Sequence, residues 1–104
     1  MIAKTPRPPY FAVIFTTVRT EGDLGYDETA ALMEELVSKQ EGFLGLESAR
    51  DGLGITVCYW DSLESIRKWK SVEEHRVAQE KGKSVWYSAY KVRICRVENE
   101  YGSL

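Results

Sequence analysis

His75 is the single histidine in this chain of 104 residues, and so its one side chain ready for acid–base work near neutral pH. Val72 stands three residues before it, Gln79 four after and Gly82 seven after, a spacing that places all four on one stripe of a helix. An imidazole there can accept a proton, anchor a substrate by a hydrogen bond or ligate a metal. It can equally be a structural histidine satisfied by a carbonyl or a carboxylate. A metal site needs three or four converging ligands, and one histidine without them gives no reason to expect a metal. Trp69, Trp86 and Tyr59 are candidate walls of a cavity, although rings at such spacing also fill ordinary cores. Glu47 and Arg93 lie on separate strand-like runs, with Lys91 sharing a face with Arg93. A Glu47–Arg93 pair inside a cavity would be costly unless well hydrogen-bonded and would mark a functional site; at the surface it would mean little. The expected site is therefore His75 as proton acceptor, with Trp69, Tyr59, Gln79, Trp86, Arg93 and Glu47 as ligand contacts.

Several other chemistries find no support. The chain has no GxGxxG and no phosphate-binding P-loop, and it lacks a nucleophile elbow. Cys58 and Cys95 sit apart without CxxC spacing, which reads as two reduced, buried thiols and a cytoplasmic protein. Fourteen basic and sixteen acidic residues leave a net charge of −2, the opposite of a nucleic-acid footprint. No apolar run approaches the roughly 18 residues of a membrane span. The first nine residues hold all three prolines and no apolar segment that would serve as a secretory signal.

The elements that must position these side chains follow from periodicity. Residues 1–8 form an extended lead-in, since proline cannot join a helix there. Tyr10 to Val18 (YFAVIFTTV) is β-branched or aromatic almost throughout, as in a strand covered on both faces. Tyr26 to Gln40 carries apolar residues at three- and four-residue steps and ends near Gly42, an amphipathic helix with its C-cap. Phe43 to Arg50 and Ile55 to Trp60 are strands joined by a tight turn over Asp51-Gly52-Leu53-Gly54. Asp61 with Glu64 makes a capping box for a second helix; a further box, Ser71 to Glu74, predicts a bend near Lys70. A last strand runs from Val85 or Trp86 to Val97, and residues 99–104 form a polar tail.

This β-α-β-β-α-β order is the ferredoxin-like pattern, an α+β domain over residues 9–98 with a four-stranded antiparallel sheet. Helices cover one face only. Phe11, Val13 and Phe15 alternate with Ala12, Ile14 and Val18, so the other face is apolar too. A second subunit is the simplest cover for it. Tyr59 and Trp60 must point to opposite faces, one toward the helices and one toward the partner.

The runs Gln40-Glu41-Gly42-Phe43-Leu44-Gly45-Leu46-Glu47-Ser48 and Gly54-Ile55-Thr56-Val57-Cys58-Tyr59-Trp60 resemble the antibiotic biosynthesis monooxygenase family. So do Trp69-Lys70 followed by Glu74-His75, and Gly82 to Tyr87 with Arg93 and Val97. The resemblance spans about residues 9–101 and is strongest to small stand-alone bacterial members. It implies a homodimer with sheets packed face to face, a dimeric α+β barrel, and a cavity between helices and sheet in each subunit. Family members include cofactor-independent monooxygenases of aromatic polyketides, heme-degrading enzymes, quorum-signal-processing proteins and proteins of no known activity, so fold alone does not decide function. The heme-degrading members pair a first-strand Asn with a Trp and a His ten residues later. Here the first strand has no Asn, ten residues after Trp69 stands Gln79, and His75 follows Trp69 by only six. The expectation is a monooxygenase without cofactor, acting on an aromatic or quinol-like small molecule as a homodimer. A non-catalytic dimeric ligand-binding or scaffold domain is the alternative. Neither nucleic acid nor membrane is an expected partner.

Overall fold

The computed structural model describes residues 1–22, 25–79 and 86–103, with side chains for all of these except 75–79. Six elements follow in the expected order: β1 (Tyr10–Arg19), α1 (Tyr26–Ser38), β2 (Phe43–Asp51), β3 (Leu53–Trp60), α2 (Leu63–Gln79) and β4 (Tyr87–Val97). The strands form one antiparallel sheet in the order β2-β3-β1-β4. β1, the most apolar strand, lies inside the sheet with β3, and both of its edges are paired.

Pairing register sorts every strand residue onto a face. Phe11 pairs with Trp60 and Val13 with Cys58, and these four face the helices. Against them pack Met33, Leu36 and the buried Val37 of α1, the buried Ile66 and Trp69 of α2, and Phe43 and Leu46 of β2. Trp60 is fully enclosed. Its ring lies near-parallel to Trp69, 27° apart with centroids at 6.4 Å, and meets Phe43 edge-on at 5.4 Å. Aromatic side chains of this size dominate a small core.

The second helix departs from the expected capping and bend. Its N-cap is Ser62, whose Oγ accepts the Ser65 backbone N–H at 3.1 Å, while Asp61 Oδ1 accepts the Ser65 hydroxyl at 2.9 Å. A side chain at Gly42, where φ is +85°, would run into Ser65 and Asp61; that glycine serves the close approach to α2 rather than capping α1, whose cap is Lys39. α2 then runs unbroken through Ser71. A serine inside a helix costs only about half a kcal/mol. The ion-paired steps Glu64–Lys68 and Lys70–Glu74 on its exposed side, and Ile66 and Trp69 on the buried side, outweigh that cost.

The opposite face carries Ile14, Val57, Ile55, Val18 and Leu53, the last three exposed at 42%, 41% and 49%. Residues 1–9 run across one end of it. Ala3 donates its N–H to Glu47 Oε2 at 2.9 Å. Thr5 bonds both the Tyr10 hydroxyl and Glu100, and Tyr10 itself donates to Glu100 at 2.5 Å. The lead-in and the polar tail are thus tied to each other over the sheet.

Candidate functional site

The residues expected to share one cavity divide between the two faces of the sheet. Trp69 faces the sheet from α2 within the core, and Trp86, 5% exposed, stands immediately before β4. Tyr59 pairs with Ala12, Arg93 with Ile14, and Glu47 with Val57, all on the face turned away from the helices. Strand parity leaves no other choice once Trp60 is in the core. Tyr59, Glu47 and Arg93 therefore do not line a helix-side cavity. The Glu47–Arg93 pair does not form either: β3 and β1 lie between their strands. Glu47 instead accepts the Tyr59 hydroxyl at 2.6 Å and the Ala3 N–H. The Tyr59 bond, then the Ala3 bond, holds its carboxyl below the ordinary glutamate value, while burial and that same carboxylate push the Tyr59 phenol well up. His75 and Gln79 stand in the last two turns of α2, and their side chains lie outside the described residues, as does all of Gly82.

On the helix side, beyond the Trp60–Trp69 core, the structure assembles a group that the sequence pattern did not single out. Arg19 at the end of β1 pairs with Tyr87 across a register slip after Val18, which brings the start of β4 under the first turn of α1. Tyr26, the first residue of α1, meets Trp86 at 6.1 Å and Tyr87 at 5.8 Å, both edge-on. Phe15 packs on Tyr87 at 5.5 Å and Tyr90 at 5.8 Å. The Tyr87 hydroxyl donates to the Tyr26 hydroxyl at 3.4 Å. Over the Tyr26 ring, 3.5 Å from its centre, lies the Arg19 guanidinium, held by the carbonyls of Trp86 and Gly22 at 3.2 and 3.0 Å. Arg50 reaches in from β2, bonded to the Thr17 hydroxyl and 3.5 Å from the Gly52 carbonyl. Burial first, and then the bond to Tyr26, pushes the Tyr87 phenol up; Arg50 and Arg19 pull it the other way.

This arrangement offers aromatic edges and faces, two phenol hydroxyls and two fixed positive charges, the means to hold a planar, electron-rich molecule. It offers no thiol nucleophile. Cys58 faces the core, where burial, then Glu73 and Glu34, push its thiol up to about 12. Among the described residues no three His, Cys, Asp or Glu side chains converge as a metal cage requires. The hairpin is tighter than the expected turn over 51–54: Asp51 pairs with Leu53 and Arg50 with Gly54, which puts Gly54 in the strand. Nothing local announced the Tyr26–Tyr87 contact, which joins residues 61 apart.

An antiparallel sheet of this order with two helices on one face defines a small ferredoxin-like α+β domain, and comparison with known proteins places it. The chain belongs to the antibiotic biosynthesis monooxygenase family, whose model matches residues 9–81. It is 54% identical over 101 residues to the uncharacterized protein YqjZ of Bacillus subtilis, across 95% of this chain and 89% of that protein. A point variant of SnoaB, a cofactor-independent oxygenase from Streptomyces nogalater, superposes with a TM-score of 0.74 at 7% identity, over 92% of this chain and all of that one. A dimeric ferredoxin-like protein from an uncultured marine organism superposes with a TM-score of 0.67 at 14% identity, over 93% and 95% of the two chains. Among the described residues no helix is long and apolar enough to cross a membrane.

Proposed function

We propose that this protein is a cofactor-independent monooxygenase that takes a planar phenol or quinol-like molecule between its helices and its sheet. The observation that carries the reading is the Phe15–Tyr26–Trp86–Tyr87–Tyr90 group with its two guanidinia, in a chain of this family. The likeness to SnoaB supports the same chemistry. In the balanced reaction a phenol with a free para position and one O₂ give a quinone and one water. One oxygen atom becomes the new carbonyl, and the other leaves as water with the ring hydrogen and the phenol hydrogen. The protein contributes orientation, exclusion of water and a proton acceptor. His75 is assigned that acceptor role, with Gln79 and Trp86 about the bound ring, while Trp69 is spent on the core against Trp60. Substrate-dependent O₂ uptake by metal-free protein, with quinone appearing in equal amount, is the expected result across a panel of phenols and naphthols with a free para position. Binding without uptake would instead make the domain a non-catalytic ligand carrier. His75→Ala should retain the fold, within the ordinary 1–2 kcal/mol of a single substitution, and lose turnover.

The reading includes a homodimer formed through the open sheet face, supported by its exposed Val18, Leu53 and Ile55 and by the dimeric neighbour. Light scattering should give about twice the 11.9 kDa of one chain, and Ile14→Asp, which places a charge in the middle of that face, should give the single mass. Cys58 and Cys95 flank β1 on opposite faces, opposite Val13 and Ala12 respectively, and both are free. Two unbridged thiols fit a reducing, cytoplasmic setting.

A further inference from the structure

Arg50 occupies a position that several neighbours have to accommodate. Its strand partner is Gly54, and Gly54 in turn pairs with Thr17 of β1. All three lie on the helix-facing side. A side chain on Gly54 would collide with the Arg50 guanidinium, which lies across β3 at that point. Because Gly54 is bare, Arg50 spans the whole strand and donates to the hydroxyl of Thr17, a polar residue only 3% exposed. Gly54 itself has an ordinary strand φ, so its lack of a side chain serves this crossing and not a turn.

The charge so fixed has no acidic partner: among the described residues no carboxylate pairs with Arg50. Its charge, like that of Arg19, favours the ionised form of the Tyr87 phenol. Thr17, which anchors Arg50, pairs across the sheet with Tyr90, and Tyr90 packs on Phe15 and Tyr87. An anchored guanidinium that keeps a solvent-reachable edge beside aromatic surface recognises a planar group bearing a negative oxygen.

Resting on the aromatic-ligand reading above, we propose that Arg50 is a specificity-determining residue selecting aromatic anions, carboxylates or phenolates, over their neutral counterparts, and that Gly54 and Thr17 hold it in place. A phenol bound there gives up its proton more readily, and the resulting phenolate is the form that reacts most easily with O₂. The proton passes to a base or to solvent.

The test uses naphthoate and naphthamide, equal in shape and different in charge, titrated calorimetrically into the full chain. Wild type should bind naphthoate about tenfold more tightly, the usual worth of one charge-assisted hydrogen bond. Arg50→Gln should erase that preference, so that the variant binds naphthoate no more tightly than naphthamide. Gly54→Ala keeps the charge but fills the space the guanidinium crosses, and it should also erase the preference; it decides the matter alone should Arg50→Gln not fold. Equal affinity of wild type for both probes, or a preference that survives in Gly54→Ala, overturns the assignment of Arg50 and leaves the aromatic-ligand reading standing. Binding of neither probe by wild type overturns both.

Discussion

Trp60 and Tyr87 stand on the same side of one sheet, at its two ends, and their surroundings are built on different terms. Trp60 belongs to an apolar cluster, the rings of Trp69 and Phe43 close on it, and its indole N–H finds no hydrogen-bond partner among the described residues. Around Tyr87 the neighbours are again aromatic, yet they carry hydroxyls, meet edge to face and are flanked by Arg19 and Arg50. Farther along β4, Tyr90, Val92 and Ile94 stay 44–52% exposed on this same side. Aromatic content alone thus does not identify a site. The Trp60 end spends its rings on closing the core; the Tyr87 end combines rings with polar groups whose partners are few and specific, and there a ligand gains something water does not supply.

The sharpest way to break this contrast is to truncate each centre. Trp60→Ala should cost about 3–5 kcal/mol, the range for a fully buried large side chain whose site cannot collapse, and chemical denaturation of the variant would report it. Trp60→Phe should recover most of that, since the ring remains and the unpartnered N–H, itself worth about 1–3 kcal/mol of desolvation, is gone. At the other end, Tyr87→Phe removes one hydroxyl and its bond to Tyr26, for about 1 kcal/mol or less. It should weaken binding of hydroquinones more than it lowers the melting temperature. A Tyr87→Phe variant as unstable as Trp60→Ala would mean that both ends are simply core.

The smallest effect belongs to the other face and serves as a control. Glu47 has a folded-state carboxyl held below its ordinary value of 4.5, so its contribution is complete above that pH and is lost as pH falls through the lower folded value. Glu47→Gln should lower the melting temperature slightly at neutral pH. Below about pH 4.5 the gap to wild type should narrow, while hydroquinone binding measured at neutral pH stays as in wild type. A loss of binding would join the arm-covered end of the open face to the site after all.

The element order was legible because the signals are local: alternating apolar residues, a tight turn between two strands, an amphipathic helix. The same alternation says that Tyr59 and Trp60 face opposite ways but not which way, and only the packing of Trp60 against α1 and α2 settles it. That single choice carried Tyr59, Glu47 and Arg93 away from the helices. The bend at Ser71 failed because a capping box describes what a helix start can use, and a start pinned elsewhere by Ser62 and by Trp69 has no need of it. The Arg50–Gly54–Thr17 crossing depends on three strands lying in register, and no pattern along one strand contains it.

The two free cysteines, separated by the thickness of one sheet, give the molecule a pair of built-in reporters. Cys58 points into the core with its thiol pushed up to about 12, so an alkylating reagent should reach it at the rate at which the helices lift. Cys95 sits partly covered on the face assigned to the second copy, and its labelling should slow as protein concentration rises. Mass spectrometry of one timed reaction would thus read fold opening and subunit exchange separately, without a dye, a tag or a single substitution.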